Sequence, residues 1–205
     1  MLAEIQRLRY DVYCIERGFL DRNNFPDARE SDAYDDYAIQ LVARNADGQV
    51  SGTARLVLDS ELGFPLEAHA TGLGHAFHSI ERDRTAEISR LAVAKSGRQI
   101  PKAGHLRANP LVLFKLFREM CVESKRLGLD YWLASMEPTL QRLLRRLVGF
   151  EFVQIGDPMD YYGEVVPYLA SIPDFIRGLE RNRPELYEYF GYGTLTGGTP
   201  IASPH

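Results

Sequence analysis

Apolar residues recur at Ile5, Leu8, Val12 and Ile15, the spacing of one helical face, and predict an amphipathic helix over 3–17 that Gly18 ends. A polar, Asp-rich stretch with Pro26, from Asp21 to Asp36, predicts a loop. Alternation returns at Tyr37–Ala43 and Val50–Leu58 around Ala46-Asp47-Gly48, the signature of a hairpin. Residues 60–84 are irregular, with a short helix expected near Leu66–Ala70. A strand follows over 86–94, then a basic loop over 95–109. Asn109 and Pro110 open a helix whose stripe is Leu113, Leu116, Phe117, Met120 and Cys121, and Gly128 closes it. Residues 130–136 predict a buried strand. Pro138 starts a helix with Leu140, Leu143, Leu144 and Leu147 inward and Arg142, Arg145 and Arg146 outward. Phe150–Ile155 and Asp160–Tyr168 predict two antiparallel strands, and Ile172–Phe190 a helix broken at Pro184. Residues 1–190 therefore predict a single α/β domain, with a mixed, mostly antiparallel central sheet flanked by helices. Residues 191–205, rich in Gly, Thr, Ser and Pro, predict a flexible tail.

Composition narrows the function. The chain has 205 residues, 45% of them hydrophobic, and a net charge of −4, which leaves no global basic footprint for nucleic acid. Cys14 and Cys121 suit reduced thiols in the cytoplasm rather than a disulfide framework or a metal cluster, and no metal or bound cofactor is expected. No apolar run approaches a membrane span, and Met1–Arg9 holds no signal-peptide core. The chain opens directly on a helical pattern, which suggests residues lost upstream.

The chemistry concentrates in Thr85–Ala94. Glu87, Ser89 and Arg90 lie within four positions of a strand that otherwise reads as buried. Buried strands exclude charges unless these are paired or used. Strand period puts Glu87, Ser89 and Leu91 on one face and Ile88, Arg90 and Ala92 on the other. A bulge would re-aim Arg90 towards Glu87. From this stretch alone, a plain Glu-Arg pair near a strand end explains these residues slightly better than a site does.

Glu87-Ile88-Ser89-Arg90 resembles the Glu-x-Ser-Arg strand of the acyl-homoserine-lactone (autoinducer) synthases. Arg9-Tyr10-Asp11-Val12-Tyr13, Asp32-Ala33-Tyr34-Asp35 and Gly52-Thr53-Ala54-Arg55-Leu56 resemble that family's other signatures, in its order. The family's aromatic run after the first helix is replaced by Cys14–Leu20, which removes a Trp from the adenosylmethionine side. Leu8–Cys14, Glu16–Phe19 and Met136–Pro138 with Leu143–Arg146 look closer to the exosortase- and PEP-CTERM-associated acyltransferases, which are similar to N-acyl amino acid synthases. The order of elements is that of the GCN5-related N-acyltransferase fold.

The resemblance implies transfer of a fatty acyl group from acyl carrier protein, or from acyl-CoA, to a small amine such as an amino acid. Glu87 would be the general base. Arg90 would hold that carboxylate or the acceptor's, and Ser89 would be a hydrogen-bonding residue. Asp32 and Asp35 would anchor the loop to Arg9 or Arg55, or bind the acceptor's ammonium, which places Arg9, Asp32, Asp35 and Arg55 on the acceptor side. An apolar slot would draw on Phe117, Met120, Trp132, Ala134, Ser135 and Met136. Backbone N–H groups around Ala92, Val93 and Ala94 would hold the pantetheine arm. The turn from Ser96 to His105 lacks a tight Gly-x-Gly for a nucleotide pyrophosphate. Arg98, Lys102, Arg142, Arg145 and Arg146 would instead steer an acidic carrier; an ordinary solvated helix face explains the last three nearly as well. An adenosylmethionine-dependent lactone synthase and a non-catalytic carrier-binding module are the alternatives.

Overall fold

The computed structural model describes residues 1–95 and 110–192. Helix α1 (Leu2–Tyr10) passes directly into a π-helical turn, Asp11–Glu16, and Gly18 turns the chain at φ +63°. Single-turn π segments inside helices are common at functional sites. Strands β1 (Ala38–Arg44) and β2 (Val50–Leu58) form the expected hairpin, and β3 (Thr85–Val93) pairs antiparallel with β2. The irregular stretch before β3 holds a 3-10 turn at Pro65–Ala68 and the short helix α2 (His75–His78). Helix α3 (Pro110–Leu127) leads to β4 (Tyr131–Met136), and Pro138 opens α4 (Pro138–Val148), which ends at the left-handed Gly149. Asn109, the expected cap of α3, lies outside the described residues, as do residues 193–205 of the expected tail.

The C-terminal strands differ from the sequence expectation. Of Phe150–Ile155 only β5 (Val153–Gln154) is extended. Phe150 and Phe152 instead turn into the core, and Phe150 stacks on Phe175 at 3.8 Å between ring centroids. The second strand starts late: β6 (Met159–Asp160) turns through Tyr161–Gly163 into β7 (Glu164–Ser171). Helices α5 (Ile172–Asn182) and α6 (Pro184–Tyr189) meet at the expected break.

The strand order is β1-β2-β3-β4-β7-β5, with β6 on β7. Among the described residues only β3 and β4 run parallel, and they pair at Thr85–Glu87 with Tyr131–Leu133. One face of the sheet carries Leu56, Ile88, Trp132 and Ala134 against α3, α4 and α5. Gly52 permits the close approach of α3, since a Cβ there would meet Val112 at 2.4 Å. The other face carries Arg55, Glu87, Ser89 and Leu133 beneath α1, the acidic loop and the segment 64–80. No helix among the described residues is long and apolar enough to cross a membrane.

Candidate active site

The expected bulge is present, and it changes the faces. Opposite β2, Ser89 pairs with Arg55 and Ala92 with Thr53, so one extra residue lies in β3 at Arg90–Leu91. Arg90 adopts φ +51°, a conformation that costs a non-glycine side chain and marks functional segments. The shift puts Arg90 on the same face as Glu87 and sends Leu91 towards the core. The period-2 assignment is thus corrected from Arg90 onward.

Arg90 does not hold Glu87. It donates to Glu30 at 3.1 Å and to Asp32 at 2.8 Å, and its guanidinium lies 5.7 Å from the Tyr13 ring centroid. Arg55, fully buried, donates to Asp32 at 2.6 and 2.8 Å, to Asp35 at 2.6 Å and to the Ser89 hydroxyl at 2.9 Å. Arg9, also fully buried, donates to Glu30 and, at 2.7 Å, to Asp35. Three guanidinium groups thus meet three carboxylates. Burial opposes ionisation of Asp35, but Arg9 and Arg55 outweigh it and hold its carboxyl down at about 2. Asp32 is lowered in the same way by Arg55 and Arg90. The polar loop of the sequence is therefore pinned inward by its acids. Asp32 caps the turn Ala33–Tyr37 through the Tyr34 N–H, and Asp35 accepts in return from the Asp32 N–H. Glu30 was not singled out from the sequence, where nothing separates it from Asp27 or Asp36.

Glu87 stands apart. It is 3% exposed and accepts from the Leu66 backbone N–H at 2.8 Å. Burial pushes its carboxyl up to about 8, against the opposing pull of that N–H and of Arg55.

Glu87 also marks where β3 and β4 part, since it occupies the last paired position with Leu133. A cavity of about 1040 Å³ opens in the gap. Its walls come from both faces of the sheet: Glu87, Ser89 and Arg90 from one, and Leu113, Phe117, Ala134 and Met136 from the other. Ala92 and Val93 lie in the wall, with Arg17, Arg142 and Arg146 at its edge. The Tyr13 hydroxyl fastens the open side of the bulge by donating to the Leu91 carbonyl at 3.0 Å. Ser135 lines the cavity, and its buried hydroxyl oxygen has no hydrogen-bond partner among the described residues.

Aromatic rings border the polar side. Tyr13 stacks on Phe19, Phe19 on Tyr162, and His69 lies 4.2 Å from Tyr161. Of these rings Tyr13 and Phe19 were anticipated, each within a motif. The others come from segments that meet only in the fold.

Four expectations are corrected. Trp132 and Met120 do not line the cavity. Trp132 is sealed among Phe117, Phe150 and Phe175, its indole N–H on the Ser124 hydroxyl at 2.9 Å. The Ala94 N–H is not free, since it donates to Ser51 at 2.9 Å. Arg145 points away from the cavity, 3.4 Å from Glu151, while Arg142 and Arg146 face it. Arg98 and Lys102 lie outside the described residues. Among the described residues no grouping of His, Cys, Asp or Glu suits a metal ion.

The family model of the N-acyl amino acid synthase FeeM matches residues 4–169. The chain belongs to the FeeM family. As a member of this N-acyl amino acid synthase family it is an acyltransferase. No curated protein matches it in sequence. Among solved structures, the CoA-dependent acyl-homoserine lactone synthase BjaI, bound to SAM and isopentyl-CoA, superposes with a TM-score of 0.67 at 21% identity, over 92% of this chain and 79% of that one. TofI in a ternary complex with an inhibitor and MTA gives 0.60 at 22%, over 90% and 91%. FeeM itself, from uncultured soil microbes, gives 0.52 at 17%, over 69% and 71%. At these identities the likeness shows the fold, a GCN5-related acyltransferase architecture.

Proposed function

We propose that this FeeM-family chain moves a fatty acyl group from a pantetheine thioester, on acyl carrier protein or coenzyme A, to the amine of an amino acid or similar small molecule. The observation that carries the reading is the cavity through the split sheet, with a buried carboxyl at the divide and an apolar chamber beyond it. The thioester carbonyl sits at the divide and the acyl chain runs between α3 and β4. Ser135 supplies a hydroxyl donor towards the carbonyl oxygen as negative charge develops. Arg142 and Arg146 meet the phosphate of the arm or an acidic carrier. The exosortase and PEP-CTERM association belongs to this reading and not to the family assignment.

In the reaction the amine nitrogen attacks the thioester carbon, the C–S bond breaks and the thiol departs. The proton lost by the amine goes to Glu87, either directly or through a water. A carboxylate with a proton affinity near 8 matches that task far better than an exposed one, because a general base works best near the operating pH. Arg9, Asp32, Asp35 and Arg55 neutralise one another, so their role is to hold the loop and Ser89. Of the two expected roles of Asp32 and Asp35, these pairs favour anchoring the loop to Arg9 and Arg55, while Arg90, which also lines the cavity, stays within reach of the acceptor.

The test is incubation of the purified protein with acyl-carrier protein or acyl-CoA and a pool of amino acids. Thiol release and N-acyl products by mass spectrometry are expected. Methylthioadenosine release from adenosylmethionine would instead identify a lactone synthase. Carrier binding without turnover, unchanged in Glu87→Gln, would identify a binding module.

A further inference from the structure

The hydrogen bond on Glu87 comes from the backbone of a surface turn, so something must hold that turn in place. Pro65 opens the turn and has no N–H, and the Leu66 N–H is the first donor, left unused within the turn. Just upstream, the Phe64 N–H donates to the Glu67 carboxylate at 2.7 Å. Gly63 adopts φ +67° there, and a Cβ on it would meet Glu67 at 2.7 Å. Glu67 is gripped by Arg82 through two bonds of 3.1 and 2.8 Å. Arg82 also donates to Asp59 at 3.0 and 2.7 Å, at the end of β2, and its guanidinium covers the buried Phe64 ring at 4.7 Å from the centroid. Arg82 is itself part-exposed and does not line the cavity.

We infer that Arg82 is a positioning residue for Glu87: its fork ties β2 to the turn at Phe64–Glu67 and so holds the Leu66 N–H on the base. This rests on the reading of Glu87 as general base. The groups that bear on Glu87 are Arg55 from β2, Arg90 from its own strand, Glu67 from the turn and Tyr34 from the segment 33–37, with His69 at the cavity edge. Loss of Arg82 frees the Glu67 charge and loosens the Leu66 donor. Both effects favour the protonated Glu87, so the base is released at higher pH.

The experiment compares the pH profile of kcat/KM with the infrared titration of the Glu87 carboxyl band, identified by its loss in Glu87→Gln. In Arg82→Gln both inflections are expected to rise by about half a unit to one unit. Activity at pH 7 then falls about three- to tenfold, while the high-pH plateau stays near the parent's. Arg82→Lys, which keeps the charge, is expected to recover part of the shift. In Arg82→Gln combined with Glu67→Gln the freed charge is gone, so a shift that persists belongs to the lost grip. A return to the parent inflection there, or no infrared shift in Arg82→Gln, would overturn the inference. An infrared shift without a matching shift in the rate profile would leave the positioning intact and remove Glu87 as the base.

Discussion

Two sets of carboxylates share one face of the sheet and are treated in opposite ways. Asp35 and Asp32 are ringed by guanidinium groups and held below the ordinary range, Asp35 at about 2. Glu87, on β3, is more deeply buried, at 3% exposure against 9% for Asp35 and 25% for Asp32, and accepts a backbone N–H, and burial lifts it to about 8. Burial pushes all three carboxyls upward, and guanidinium partners reverse that push for Asp32 and Asp35 but not for Glu87. Asp32 and Asp35, lowered by their guanidinium partners, stay ionised across the working range. The undercompensated carboxyl is the group that can exchange a proton near neutrality.

The contrast is broken most severely at Glu87. Glu87→Gln keeps the acceptor for the Leu66 N–H and removes the proton-exchanging group. Turnover is expected to fall by about 10²- to 10⁴-fold, as read from thiol release, with the circular dichroism of the parent. Stability should respond in the other direction. A carboxyl raised in the folded state contributes fully below its unfolded value of 4.5, and that contribution is lost as pH rises towards about 8. The parent should therefore weaken between those pH values relative to Glu87→Gln, measured by urea midpoints.

Arg55→Met attacks the other member. It leaves Asp32 and Asp35 short of a buried partner, and the expected loss is about 3–5 kcal/mol by urea denaturation at pH 7. Asp35 has a depressed value, so its stabilisation is present above its unfolded value of 3.8 and lost as pH falls towards about 2. The Arg55→Met deficit should shrink across that acid window. An equal deficit at every pH would mean that Arg55 acts through packing and not through its charges.

The two sets were not equally legible in the sequence. The helix, the hairpin and the Glu87 strand follow from local periodicity, and Arg9, Asp32, Asp35 and Arg55 emerge from short motifs. The pairing of Asp32 and Asp35 with Arg9 and Arg55 was legible as one of two readings, whereas the partners of Arg90 were not. The bulge was legible as a possibility, but its consequence depended on Glu30, which sits 60 residues from Arg90 and looks like any loop acid. Trp132 and Ala134 occupy the same face of one strand, yet only Ala134 reaches the cavity. That difference is set by where β3 departs, a tertiary fact with no signal in β4 itself. Phe150 and Phe152 misled the strand assignment because apolar alternation also suits a coil segment that feeds two rings into a core. The turn at Pro65–Ala68 was foreseen as helical, but not its N–H on Glu87, since a backbone donor leaves no residue type to read.

The smallest perturbation lies between the two sets. The Tyr13 ring covers Arg90 on the cluster side, and its hydroxyl holds the Leu91 carbonyl at the bulge. Burial in this position pushes that hydroxyl up to about 12, so it remains a donor at every working pH. Tyr13→Phe keeps the ring over Arg90 and deletes one hydrogen bond, at an expected cost of about 0.5–1.5 kcal/mol. If the bulge only shapes the cluster, turnover should follow this small loss and the pH profile should not move. The bulge also sets the edge of β3 that borders the cavity, so a rise in donor KM of about two- to fivefold is expected, the size of a single lost hydrogen bond, with the Glu87 inflection unchanged. A shifted inflection would show that the two carboxylate environments communicate through β3, and the contrast between them would then be a property of the strand rather than of each carboxylate's own donors.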